Sequence, residues 1–168
     1  MEVGDWALLI LRVAVGVTLA AHGYNKFFGG GRIAGTARWF DSIGMRPGRR
    51  HAVLAAGSEI AAGSALAAGL LTAPAAAGLV GLMSTAFWVA HRGKGFFVMN
   101  DGWEYTVVLA AVAVAIAMMG PGGLSLDSVL GIADALDGWA GLAVSLGGGV
   151  GAAALLLAAF YRPAVRDA

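Results

Sequence analysis

Five apolar stretches separated by polar segments dominate the pattern of hydrophobic and polar positions along the chain. They cover residues 6–28, 52–71, 74–90, 103–119 and 139–161. An α-helix needs about 20 residues to cross the hydrocarbon core of a bilayer, so each stretch approaches that length, and the fourth is the shortest. The pattern predicts an all-α, polytopic membrane helix bundle in which residues 1–168 form a single membrane domain.

The composition agrees with this fold class. Hydrophobic residues make up 59% of the chain, charged residues only 12%, and the mean hydropathy is +0.78. A soluble domain with this balance would lack a charged surface. The absence of cysteine excludes disulfides, thiol catalysis, thiolate zinc sites and iron–sulfur ligation through this chain. We therefore expect the lipid bilayer as the main partner and no nucleic acid.

The charged residues are sorted between the two sides of the predicted bundle. All of the eleven Lys and Arg residues except Arg12 fall on the side reached by the end of the first span. They are Lys26, Arg32, Arg38, Arg46, Arg49, Arg50, Arg92, Lys94, Arg162 and Arg166. The other side carries only acids, namely Glu2, Asp5, Asp127, Asp134 and Asp137. Because basic loops stay in the cytoplasm, we expect an outside N-terminus, an uncleaved first span and, with five spans, a cytoplasmic C-terminus.

Small residues indicate where helices approach closely. On the fifth stretch they recur at steps of four residues, as Gly141, Ser145, Gly149 and Ala153. Such a ridge predicts an interface helix, either within the bundle or between the protomers of a homo-oligomer. On the first stretch, Gly16 and Gly23 share a face with Arg12 and Lys26, which predicts that this face points inward.

The segment of residues 29–50 is too long for a simple connection. Ile33, Ala37 and Phe40 recur at helical spacing with arginines on both sides, which predicts a short helix lying in the membrane interface. Anchoring in lipid is the plainer interpretation, and docking of a partner or headgroup is the alternative.

A set of polar and aromatic residues converges on the basic side. An ionisable group inside a span costs about 2.5–3.5 kcal/mol on insertion scales, so each one needs a partner or a function. The candidate ligand-binding residues are His22, Lys26, Glu59, His91, Phe96, Phe97, Asn100, Glu104 and Tyr105. Each also has a structural interpretation. Asp101 and Glu104, for example, form a helix-capping pattern.

A purely structural role explains Glu59 less readily than it explains the other acids. Its partner could be Arg12, in a structural ion pair between the first two spans, or Lys26, or a histidine. Alternatively, Glu59 could serve a proton-coupled ligand. His22 and His91 lie at one depth, but two histidines are weak evidence for haem, so we expect neither haem nor a metal ion.

The order of short motifs over the first four stretches resembles the DoxX family of small bacterial membrane proteins. The residues that carry the resemblance are Leu11-Arg12, His22-Gly23-Tyr24-Asn25-Lys26-Phe27, Thr36-Ala37, Phe40, Gly44, Gly57-Ser58-Glu59, His91, Gly95-Phe96-Phe97, Asn100, Gly102, Glu104-Tyr105, Gly120-Pro121-Gly122 and Ser125-Leu126-Asp127. The resemblance covers about residues 6–130 and implies a four-helix core in a bacterial inner membrane. The stretch at about 139–161 would then be an additional fifth transmembrane helix.

The resemblance also implies a class of function. Relatives in this family include a subunit of a thiosulfate:quinone oxidoreductase and proteins linked with membrane-associated redox complexes. The resemblance therefore favours a redox-associated subunit that binds a quinone-like small ligand in a polar pocket of the cytoplasmic leaflet. It leaves open whether this chain is itself an enzyme. The alternatives are a non-catalytic scaffold that docks soluble redox enzymes and a proton-coupled small-molecule transporter. The transporter would need alternating access, and the sequence has no detectable inverted repeat.

Overall fold

The computed structural model of the chain describes residues 2–163. Its helices are α1 (Val3–Phe28), α2 (Arg32–Ser42), α3 (Gly48–Ala68), α4 (Thr72–His91), α5 (Glu104–Met119), α6 (Leu126–Val129) and α7 (Gly138–Phe160), with short 3-10 turns at Val98–Asn100 and Ala133–Leu136. By length and composition, α1, α3, α4 and α7 can each cross a membrane, whereas α5 is a shorter apolar helix. The predicted all-α, polytopic membrane bundle is confirmed.

Successive long helices run in opposite directions, so their connections collect at two ends. At one end, the Arg162 amide donates a hydrogen bond to the Gly44 carbonyl over 2.7 Å. At the other end, the Gly123 amide donates to Asp5 Oδ1 over 2.7 Å. We name the first the basic end, formed by residues 26–50, 91–104 and 160–163, and the second the acidic end, formed by residues 2–5, 69–72 and 120–138.

The charges divide between these ends as the sequence suggests. Apart from Arg12, each Lys and Arg in the described part of the chain lies at the basic end. Arg166, which the sequence assigns to the same side, lies outside the described residues. The end of α7 reaches the basic end, where Phe160 packs edge-on against His51 with ring centroids 4.9 Å apart.

The helices α1 and α3 pack with their backbones in contact. A Cβ atom at Gly16 would lie 2.5 Å from the Gly63 carbonyl oxygen, and a Cβ at Gly63 would lie 2.5 Å from the Gly16 carbonyl oxygen. A Cβ at Gly23 would similarly lie 2.5 Å from the Ala56 carbonyl oxygen. The inward face predicted for α1 is confirmed, and α3 is the helix that covers it.

The helix α4 lies at the centre of the bundle and contacts α3, α5 and α7. The core around it is made of fully buried apolar side chains, including Leu19, Leu66, Leu79, Val80 and Ile116. The small-residue ridge of α7 packs onto this core. A Cβ at Gly149 would lie 2.7 Å from the Ala77 carbonyl oxygen, and one at Gly141 would collide with the backbone of Ala117. The ridge is therefore filled within the chain, so a homo-oligomer would need another surface.

The helix predicted in the segment of residues 29–50 is present as α2. Its Ala37 is buried, and its Asp41 accepts a 2.7 Å hydrogen bond from the Gly48 amide at the start of α3. This contact satisfies one of the free N–H groups at a helix N-terminus. It holds α2 against α3 at the basic end.

Candidate functional site

An ion pair joins α1 and α3 at the basic end. Lys26 Nζ lies 2.7 and 2.6 Å from the two carboxylate oxygens of Glu59, and the two side chains are only 21% and 9% exposed. Gly23, one turn before Lys26, lets the two helix backbones meet here. Glu59 therefore has a partner, and that partner is one of those the sequence left open.

The alternative pair of Arg12 with Glu59 is wrong. Arg12 precedes Lys26 by 14 residues, and at 1.5 Å per residue this places it roughly 21 Å away along α1. Its Nη2 instead donates to the Leu124 carbonyl over 2.6 Å at the acidic end. The two charged residues of α1 serve opposite ends of the bundle.

A second polar contact at the basic end joins α1 to α5. His22 Nε2 lies 3.4 Å from Tyr105 Oη, and their ring centroids are 6.2 Å apart. This is long for a hydrogen bond that involves a hydroxyl group. His22 precedes Lys26 by one turn, and Tyr105 is 37% exposed. We call His22, Lys26, Glu59 and Tyr105 the α1–α3–α5 cluster.

The other five candidate residues belong to the α4–α5 connection, residues 92–103, or to the helix ends beside it. His91 Nδ1 lies 2.6 Å from the Asp101 carbonyl oxygen. Glu104 Oε1 accepts a 2.7 Å hydrogen bond from the Val98 amide. Lys94 Nζ lies 2.9 Å from Asp101 Oδ2, and this hydrogen bond and charge, with a smaller contribution from His91, lower the pKa of Asp101. The connection is thus held by its own polar groups.

One expectation about this connection is corrected. Asp101 does not cap α5, because its own φ is +59° and Trp103 occupies the N-cap position. Phe96 packs edge-on against Trp103, with centroids 4.8 Å apart, and against Phe97 at 5.3 Å, and both Phe side chains are exposed. The two Phe side chains therefore pack within the connection itself, Phe97 on Phe96 and Phe96 on Trp103.

Asn100 lies in the 3-10 turn, where its amide donates to the Phe97 carbonyl over 3.0 Å. The nine candidates therefore form two neighbouring groups. His22, Lys26, Glu59 and Tyr105 meet between helices, and His91, Phe96, Phe97, Asn100 and Glu104 shape the connection. The groups are adjacent in the chain where Glu104 precedes Tyr105 in the first turn of α5.

Comparison with protein families covers the first four helices. The family model described as DoxX matches residues 7–92, from α1 to the end of α4, which is just over half of the chain. This chain belongs to the DoxX family. No curated protein and no solved structure matches it. Within the DoxX match lie His22, Lys26, Glu59 and His91, whereas Tyr105 and the connection before it lie beyond.

No group of three or more His, Asp or Glu residues in the described part of this DoxX protein is arranged to hold a metal ion. A cavity of about 690 Å³ lies between α4, α5 and α7, and none of the nine candidate residues lines it. The chemistry available at the α1–α3–α5 cluster is therefore hydrogen bonding and proton exchange by an imidazole, a phenol and an ammonium–carboxylate pair.

Sequence reasoning missed a buried polar network at the acidic end of the DoxX bundle. Asp127 is buried, and its carboxylate accepts hydrogen bonds from the Leu71 amide at 2.7 Å, the Thr72 amide at 2.9 Å and the Thr72 hydroxyl at 2.7 Å. It thereby caps the N-terminus of α4 from a distant segment. The signal available in the sequence is that Arg12 lies in the first half of the first span, toward the side that carries Asp127.

Proposed function

We propose that this protein is a redox-associated membrane subunit that binds a quinone-like, amphipathic small molecule at the α1–α3–α5 cluster. The observation that supports this most is the long 3.4 Å contact of His22 with Tyr105 across two facing helices. A carbonyl oxygen that entered between them would accept a hydrogen bond from the Tyr105 hydroxyl or from the imidazole. The bound ring would lie beside the Lys26–Glu59 pair.

The cluster could supply protons to such a ligand. Reduction of a quinone to a quinol takes up two electrons and two protons. Glu59 and Lys26 form a hydrogen-bonded pair that could pass a proton to the ligand. The imidazole of His22, one turn before Lys26, can both donate and accept a proton. Glu104 suits this role less well, because its Oε1 already holds the Val98 amide. The electrons would come from a soluble redox enzyme.

The proposed orientation places the basic end on the cytoplasmic face of a bacterial inner membrane and the acidic end on the opposite face. The separation of charge supports it, since Arg12 is the only described basic residue away from the basic end and it is fully buried. A soluble partner would then meet the α1–α3–α5 cluster from the cytoplasmic side.

The test compares the native chain with Glu59→Gln, which keeps the size of the side chain and removes its charge. The full chain is purified in a mild detergent, and its bound quinone is extracted and quantified. Reduction of an added short-chain quinone is then followed, and the soluble fraction of the lysed host cells supplies the electrons. We expect both signals to fall in Glu59→Gln and to stay in Asp101→Asn, which alters the exposed ion pair at the same end. Equal quinone in all three proteins would overturn the proposal.

A second candidate function is a non-catalytic scaffold that docks a soluble redox enzyme. The observation that favours it is the tip of the α4–α5 connection, where Phe97 is 62% and Met99 is 91% exposed beside Lys94. An apolar tip held by its own hydrogen bonds is suited to partner binding. Under this alternative, Met99→Asp would release a co-purifying enzyme, whereas Glu59→Gln would retain it.

A further inference from the structure

A lateral groove opens between α4, α5 and α7, on a side of α5 away from the α1–α3–α5 cluster. The groove is open on one side and has a volume of about 690 Å³, within the range of about 300–1,000 Å³ that is usual for small-molecule sites. Its wall is almost entirely apolar and includes Met83, Phe87, Trp88, Ala110, Ala154 and Leu157. Two of its three helices, α5 and α7, lie beyond the family match.

The polar groups of the groove are few, and one is already engaged. Thr106 donates its hydroxyl proton to the Trp103 carbonyl over 2.7 Å. Ser84 and Tyr161 are the other lining residues with a hydroxyl group, and no lining residue is charged. The wall is therefore suited to bind the apolar chain of a ligand.

Arginines stand where the groove meets the basic end. The Arg92 guanidinium carbon lies 3.9 Å from the centre of the Trp88 ring, so the charge is stacked on a groove residue. Arg162 follows Tyr161, the last groove residue, and donates to the carbonyls of Ala158, Ala159 and Tyr161. A guanidinium carries five N–H donors, and three of those of Arg162 are used in these bonds, so among residues 2–163 the other two have no acceptor.

We propose that the groove binds one anionic phospholipid, with an acyl chain against the apolar wall and the phosphate at Arg92 and Arg162. Charge complementarity favours this occupant. An uncharged lipid would contact only the apolar wall and would leave the two arginines without a partner. Basic pockets between membrane helices are suited to anionic headgroups. The site would tie α7 to the rest of the bundle through a lipid at the basic end.

The experiment uses the full chain, freed of lipid in detergent and titrated with phosphatidylglycerol or phosphatidylcholine while bound lipid is counted by native mass spectrometry. We expect one phosphatidylglycerol to be retained with clear preference over phosphatidylcholine. Arg92→Gln and Arg162→Gln should each weaken phosphatidylglycerol binding about fivefold. Ala154→Trp, which fills the groove from an exposed position, should abolish retention. Ala152→Trp, an exposed position outside the groove lining, is the matched control and should bind like the native chain.

Several results would overturn the proposal. Equal retention of the two lipids would remove the role of the arginines, and retention by Ala154→Trp would place the lipid elsewhere. Loss of quinone, instead of phospholipid, in Ala154→Trp would assign the groove to the redox ligand. The quinone content of Glu59→Gln is measured separately, so failure of the lipid site and failure of the quinone site give different results.

Discussion

Lys26 Nζ donates to both carboxylate oxygens of Glu59, at 2.7 and 2.6 Å, and so ties α1 to α3 where their backbones touch at Gly23. Both side chains lie in helices that are predominantly apolar. The pair therefore has a structural role whether or not it also exchanges protons with a ligand.

We expect Lys26→Met to destabilise the protein, because it leaves the Glu59 carboxylate without its partner. Breaking a buried pair costs about 3–5 kcal/mol, and this pair should fall near the lower limit because the Lys26 side chain keeps 21% of its surface exposed. The double variant Lys26→Met with Glu59→Leu should lose much less than the two single variants summed. Thermal unfolding in detergent measures all three, and additive losses would contradict a coupled pair. Lys94→Met, at the exposed ion pair, should change stability far less, because water screens this pair.

Gly63→Ala should separate α1 from α3. The added Cβ would lie 2.5 Å from the Gly16 carbonyl oxygen and 2.6 Å from the Ala20 nitrogen, and both are backbone atoms that cannot turn aside. We expect a loss of about 1–3 kcal/mol, the usual cost of overpacking. Gly57→Ala on the same helix is the control, because a Cβ added there would have no neighbouring atom within 4 Å. Equal melting temperatures for the two variants would show that the close helix contact is not needed.

Asp127→Asn should loosen the acidic end. The amide keeps one acceptor oxygen but turns an NH₂ group toward one of the donors of Leu71 or Thr72, so at least one charge-assisted hydrogen bond is lost. Such bonds contribute about 1.5–3 kcal/mol each. Hydrogen exchange should rise at the amides of Leu71, Thr72, Ala73 and Ala75, around the start of α4. Asp134→Asn, at an exposed acid of the same end, should leave that exchange unchanged.

The α4–α5 connection should loosen in acid. The hydrogen bond and charge of Lys94 lower the pKa of Asp101 from its ordinary value of 3.8. A lowered carboxyl pKa means that the contact stabilises the connection above pH 3.8 and is lost as the pH falls through the lowered pKa. Amide exchange at Gly102, corrected for its intrinsic pH dependence, should therefore rise in that acidic range. Asp101→Asn should remove this pH dependence, and an unchanged acid response in the variant would assign it to another group.

Much of the bundle follows from the sequence because apolar length and small-residue spacing are local signals. The stretch predicted at residues 103–119 is the helix Glu104–Met119, and the approach of α1 through Gly16 and Gly23 is as predicted. Spacing along one helix also decides between Arg12 and Lys26 as the partner of Glu59, once the rise per residue is applied.

The conformation of connections could not be predicted in this way. Asp101 adopts a left-handed backbone conformation that takes it out of the capping position, and no residue pattern requires this. The role of Asp127 depends on residues 120–132 folding back over the turn at residues 69–72. Such a contact joins segments that are distant in sequence, and periodicity carries no information about it.

The hydrogen bond of Arg12 to Leu124 has a consequence for how the protein is made. The two residues are 112 positions apart. At a synthesis rate of about 5–20 residues per second, roughly 6–22 seconds pass between the appearance of the arginine and that of its acceptor. During this interval the nascent first helix carries a guanidinium that must be hydrated or held by lipid phosphate. Arg12 can exchange water or lipid phosphate for the Leu124 carbonyl only after the later segment has been made. The acidic end therefore closes late in biogenesis.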